Sequence, residues 1–79
     1  MKTIILIDTI SRVKDFNRIA QTFVGNVDVV SGKHKVDGKS LLGLYSLDLS
    51  KPVEVHYDEE DSERAALLLA RYEVSKYEV

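Results

Sequence analysis

The sequence predicts a small α+β domain built as an open-faced β-sandwich. One four-stranded antiparallel sheet carries helices on one face, and the elements follow the order β-α-β-β-α-β-α. Three observations predict this. β-branched or alternating runs recur at four places, two of them joined by a glycine-containing turn. Three other stretches carry apolar residues three and four apart. The chain has 79 residues, which is room for one thin core, so every strand must find its cover among these same helices.

Ile4-Ile5-Leu6-Ile7, ended by Asp8, reads as a buried first strand. Val13, Phe16, Ala20 and Phe23 then recur at spacings of three and four, with Ile19 beside them and Lys14, Asp15, Asn17, Arg18 and Gln21 opposite. This predicts an amphipathic helix over about residues 11 to 24, capped by Thr9 or Ser11 and ended by Gly25-Asn26. Val27, Val29 and Val30 make a second strand, Ser31-Gly32-Lys33 a turn, and residues 34 to 37 a third strand. Asp37-Gly38 closes that hairpin.

Ser40 caps a short helix running to about Leu47, with Leu44 and Leu47 on one side and Leu41 and Tyr45 on another. Pro52 cannot continue a helix, and beyond it Val53, Val55 and Tyr57 alternate with Glu54 and His56 as in a half-buried strand. Asp58-Glu59-Glu60-Asp61 places negative charge at the start of a last helix, whose inner stripe is Ala65, Leu68, Leu69 and Tyr72. The expected core is Val13, Phe16, Ala20, Phe23, Leu47, Val55, Leu68 and Leu69.

Composition excludes several classes. A net charge of −2 provides no basic footprint, so no nucleic-acid partner is expected. No apolar run approaches the roughly 20 residues of a membrane span, so no membrane partner is expected. There are no cysteines, which removes disulfides and thiolate metal sites. Met1-Lys2-Thr3 leads straight into a strand-like run rather than a secretory leader, so a cytoplasmic location is expected. His34 and His56 have no second ligand at metal spacing, and no triad, phosphate loop or paired-carboxylate site is visible. The chain is therefore expected to be neither an enzyme nor a holder of metal or cofactor.

The stretch Val36-Asp37-Gly38-Lys39-Ser40-Leu41-Leu42-Gly43-Leu44-Tyr45-Ser46-Leu47 resembles the regulatory region of the histidine phosphocarrier (HPr) family of the bacterial sugar phosphotransferase system. That family runs apolar-x-x-Lys-Ser-apolar-apolar-Gly-apolar-Met-Ser-Leu there. Lys39, Ser40, Gly43, Ser46 and Leu47 match as they stand, and Tyr45 replaces the methionine. Length and element order match along the whole chain; residues match well only across about 36 to 55. The resemblance implies a single HPr-like domain over residues 1–79, with a link to sugar transport and carbon-catabolite regulation. The strand order expected of it is 1-4-2-3, with the first and last helices on one face.

The chain departs from the family at the residue that matters most. The family's active loop opens the first helix and reads His-Ala-Arg-Pro-Ala. An ungapped alignment back from Ser40 puts Thr9 at the histidine position, followed by Ile10, Ser11, Arg12 and Val13. Imidazole suits a phosphocarrier because it titrates near neutrality and its phosphoramidate is labile. A threonine or serine ester is stable, and the hydroxyl needs a base to attack at all. The site is expected to be degenerate and unable to transfer phosphate on histidine.

Each remaining candidate has two readings. In the family, the serine matching Ser40 is phosphorylated by a dedicated kinase, and a phosphate at a helix N-terminus is electrostatically favoured; the plain reading is an N-cap. Lys39, Leu41, Leu42 and Tyr45 match positions that dock partner proteins; the plain reading buries the apolar ones. Thr9, Ser11 and Arg12 stand where a helix start could hold an anion; the plain reading is a cap and a solvated arginine. The partners implied by the resemblance are proteins: an HPr kinase, a transcription regulator or a phosphotransferase component. The chain itself is expected to be a monomer or weak dimer. The alternative is a structural or regulatory subunit of the same fold with no link to sugar transport.

Overall fold

The computed structural model describes residues 1–74. Its strands are β1 (Lys2–Ile5), β2 (Val27–Ser31), β3 (His34–Asp37) and β4 (Val53–Tyr57). Its α-helices are α1 (Ile10–Gln21), α2 (Leu41–Tyr45) and α3 (Ser62–Leu68), with 3-10 turns at Glu59–Asp61 and Ala70–Tyr72 flanking α3. The strands form one antiparallel sheet in the order β1-β4-β2-β3, as expected.

Strand alternation sets the two faces. Val29 lies opposite Val55, which lies opposite Thr3, and both valines are fully buried beneath the helices. One residue along, Ile4, Glu54, Val30 and Lys35 share the other face. That face is wet, and it carries a hydrogen bond between His56 and Glu54 at 3.0 Å and an ion pair between Lys35 and Asp28 at 4.0 Å. β2 and β3 meet through Gly32-Lys33, with Gly32 at φ +62°, the left-handed conformation that a two-residue hairpin turn asks of glycine.

Several element boundaries differ from the sequence expectation. β1 ends at Ile5 rather than Ile7 because its partner starts at Val53, directly after Pro52, which has no N–H to extend the ladder. Leu6 N–H turns instead to the Tyr72 carbonyl at 2.8 Å, and Ile7 is still fully buried. α1 spans residues 10–21, not 11–24, and Gly25-Asn26 does not end it. Thr22 does: its hydroxyl and its N–H both donate to the Ile19 carbonyl, at 2.6 and 2.9 Å. The tighter turn sends Phe23 into the core, where its ring meets Tyr57 edge-on at 6.1 Å. α2 stops at Tyr45, two residues short of Leu47.

Seven of the eight expected core residues are buried; Leu68 is not, at 39% exposed. Ala65, Leu69 and Tyr72 form the inner stripe of α3 and its following turn. Leu68 lies about 100° round the helix from Leu69, and it borders an open groove rather than a neighbouring element.

Candidate functional site

The start of α1 is built by Thr9. Its backbone is extended, and its hydroxyl oxygen accepts the Arg12 N–H at 3.1 Å. The Thr9 side chain is thus the N-cap of α1. Arg12 folds back: its Nη1 donates to the Leu6 carbonyl at 3.3 Å and stands 3.8 Å from Asp8 Oδ1. Its guanidinium also lies 5.8 Å from the centre of the Tyr72 ring. Of the three anion candidates, Thr9 and Arg12 are engaged within the fold. Only Ser11 faces the open groove, alongside Ile10, Lys14, Arg18 and Arg71.

Neither histidine shares that place. His56 pairs with Lys2, at the opposite end of β1 from the start of α1. His34 begins β3, the far edge of the sheet, three strand spacings from β1, or roughly 14 Å.

The second candidate, α2, is held against α1 by side-chain bonds to the loop before it. Gln21 Nε2 donates to the Lys39 carbonyl at 2.7 Å and Asn17 Nδ2 to the Gly38 carbonyl at 3.4 Å. Ser40 is the N-cap of α2, its Oγ accepting the Gly43 N–H at 3.1 Å. Gly43 suits this packing, since an added Cβ would lie 3.3 Å from Ser40 Oγ. Leu44 is fully buried and Leu41 packs partly against the core, while Leu42 is 83% exposed and Tyr45 lies outward beside it. The structure therefore divides the expected patch: Leu42 and Tyr45 face solvent, and Leu41 belongs largely to the core. Lys39 is committed elsewhere, its Nζ donating to the Phe23 carbonyl at 2.9 Å.

The sequence reading missed two polar contacts that organise the site. Asp61, in the acidic run at the start of α3, is buried and accepts the Val24 and Gly25 N–H groups at 2.9 and 2.8 Å. Burial pushes its carboxyl up. The two backbone N–H groups, with Arg64 and Lys39 nearby, more than offset this and hold it below the usual aspartate range. The Tyr72 hydroxyl donates to Asp15 Oδ2, tying the turn after α3 to α1. Burial and that bond push the Tyr72 phenol above its ordinary value. No local sequence signal marks either contact, because the partners lie 36 or more residues apart.

No family model matches the sequence, and no curated protein matches it. Among solved structures, the chain is similar to the crystal structure of HPr-C-His from Thermoanaerobacter tengcongensis, with a TM-score of 0.75. The two share 24% sequence identity, over 90% of this chain and 88% of that one. The fold is HPr-like. The order β1-β4-β2-β3 and the helices on one face agree with that architecture. Among the described residues, no helix is long and apolar enough to cross a membrane.

Proposed function

We propose that this chain is a divergent HPr-like protein that is not competent for phosphotransfer on histidine. It acts without enzymatic activity, through protein contacts made by α2, with Ser40 as the regulatory phosphorylation site and a cytoplasmic setting. One observation carries the reading. Thr9 is the N-cap of the first helix, the position at which the resembling family keeps its histidine, and both histidines of this chain lie away from it. The hydroxyl there is used as a helix cap, and among the described residues no histidine, glutamate or other general base is hydrogen-bonded to it.

The α2 surface supports the second half of the reading. Leu42 and Tyr45 are exposed next to Ser40, so a phosphate on Ser40 would set a dianion beside an apolar contact patch. The implied partners are an HPr kinase, a transcription regulator or a phosphotransferase component.

The test uses phosphoenolpyruvate with the general phosphotransferase enzyme, read by intact mass. No acid-labile phosphate is expected, and label on His34 or His56 would overturn the reading. Thr9→His alone is expected to stay inactive. The family's steadying arginine falls at Ser11, and Arg12 is turned back onto the Leu6 carbonyl. In a second arm, an HPr kinase with ATP is expected to label Ser40; label on Ser46 or Ser50 instead removes the regulatory half.

A further inference from the structure

One groove gathers positive charge that the fold leaves uncompensated. It is open, encloses about 680 Å³, and runs between the flank of α1 and the turn after α3. Ser11, Lys14 and Arg18 line it from α1, and Arg71 lines it from that turn. Residues three and four apart share a helix face, so the three α1 side chains form one row. Among the described residues, the one carboxylate in the groove is Asp15. It is already engaged, accepting the Tyr72 hydroxyl and lying 3.5 Å from Arg18 Nη1. Three cations against one carboxylate leave a local charge of +2, in a chain whose net charge is −2. Among the described residues, neither Lys14 nor Arg71 is ion-paired, whereas Lys2, Arg12 and Lys35 each stand beside a carboxylate.

The groove is also held in shape. Tyr72 is buried, and its hydroxyl is fixed on Asp15. The Arg71 guanidinium lies 6.0 Å from the centre of the Tyr72 ring, a cation–π contact that limits where the side chain can go. A guanidinium is a planar fork that matches phosphate oxygens, and a lysine adds a point charge. Ile10, 67% exposed, puts apolar surface in the same groove. The volume lies within the range of about 300 to 1,000 Å³ typical of small-molecule sites.

We propose that this groove binds a small phosphomonoester, with its dianionic head among Lys14, Arg18 and Arg71 and its organic part against Ile10. The double negative charge matches the local excess of +2, and the size of the groove suits a small molecule better than an acidic protein surface. The site lies on the flank of α1 and does not use Arg12, which is turned onto the Leu6 carbonyl. The inference therefore does not depend on the phosphotransfer reading or on Ser40.

NMR titration of the ¹⁵N-labelled full chain with phenyl phosphate tests it, at about pH 7.5, where a phosphomonoester carries close to two charges. Saturable shifts should appear at Ser11, Lys14, Arg18 and Arg71. Benzenesulfonate, similar in shape but singly charged, should bind several-fold more weakly. Lys14→Ala and Arg71→Ala should each weaken phenyl phosphate several-fold with an unchanged circular dichroism spectrum, since both side chains are exposed. Lys33→Ala, which removes a charge from the β2–β3 turn, should bind like the parent. The proposal would be overturned by the want of any saturable shift, by benzenesulfonate binding as tightly, by binding that survives Arg71→Ala, or by an equal loss in Lys33→Ala. Hexaglutamate binding there more tightly than phenyl phosphate would overturn it too, by making an acidic protein segment the occupant.

Discussion

At the scale of the residue, neighbours of the same type carry very different weight. Leu69 is fully buried and Leu68 is 39% exposed, although they are adjacent leucines. Leu69→Ala removes a core side chain and should cost about 2 to 5 kcal/mol, a large share of the stability of so small a domain. Leu68→Ala should cost much less, because much of that side chain is already in water. Urea unfolding of the two variants checks this, and equal losses would contradict the packing. The acidic run divides in the same way. Glu59 and Glu60 are exposed, while Asp61 is buried on two backbone N–H groups. Residue identity does not separate these cases; position relative to α1 does.

At the scale of the element, α1 is the hub. Its start is capped by Thr9, and its flank holds the loop before α2 through Asn17 and Gln21. The chain leaving it is clamped from both sides. Lys39 takes the Phe23 carbonyl, and Asp61 takes the next two N–H groups. A buried N–H left without a partner is costly. Asp61→Ala should therefore lower the unfolding midpoint far more than Glu60→Ala, and it should speed amide exchange at Val24 and Gly25 ahead of the sheet. Exchange followed residue by residue is the check, and protection unchanged at those two amides would exclude the clamp. Because Lys39 adjoins Ser40, the same clamp fixes the backbone on which the candidate regulatory serine sits.

At the scale of the whole molecule, the shifted groups set how stability depends on pH. Hydrogen bonding from His56 holds the Glu54 carboxyl below its usual range, and the contacts of Asp61 do the same there. A carboxylate depressed in the folded state lends stability above its unfolded pKa, and that stability is lost as pH falls through the folded value. Stability should thus decline below about pH 4. Tyr72 works in the opposite direction. Burial and the bond to Asp15 raise its pKa, so the folded state favours the neutral phenol. That contribution is complete below the unfolded value and fades as pH rises past about 10. Urea midpoints should therefore form a plateau through neutrality with a fall on each side. Tyr72→Phe should flatten the alkaline fall and leave the acid one, whereas an alkaline fall of the same size in that variant would remove Tyr72 from the account.

Periodicity and turn chemistry by themselves determined the number, type and order of the elements, because those depend on contacts within a few residues. The alternation of Val53, Val55 and Tyr57, the glycine turn at residue 32 and the serine cap at residue 40 can each be read without a partner. The want of a histidine near Thr9 was equally plain in the sequence, since it is a matter of composition and register. Tertiary structure alone decided what lies between elements. It set which leucine of the Leu67–Leu69 run turns inward, and it parted Leu41 from Leu42 on α2. It also took Asp61 away from its own helix to hold the end of α1. The reason is geometric: a helix with apolar residues on several sides has no intrinsic inner face, and it acquires one only from the curvature and spacing of the sheet it is laid upon.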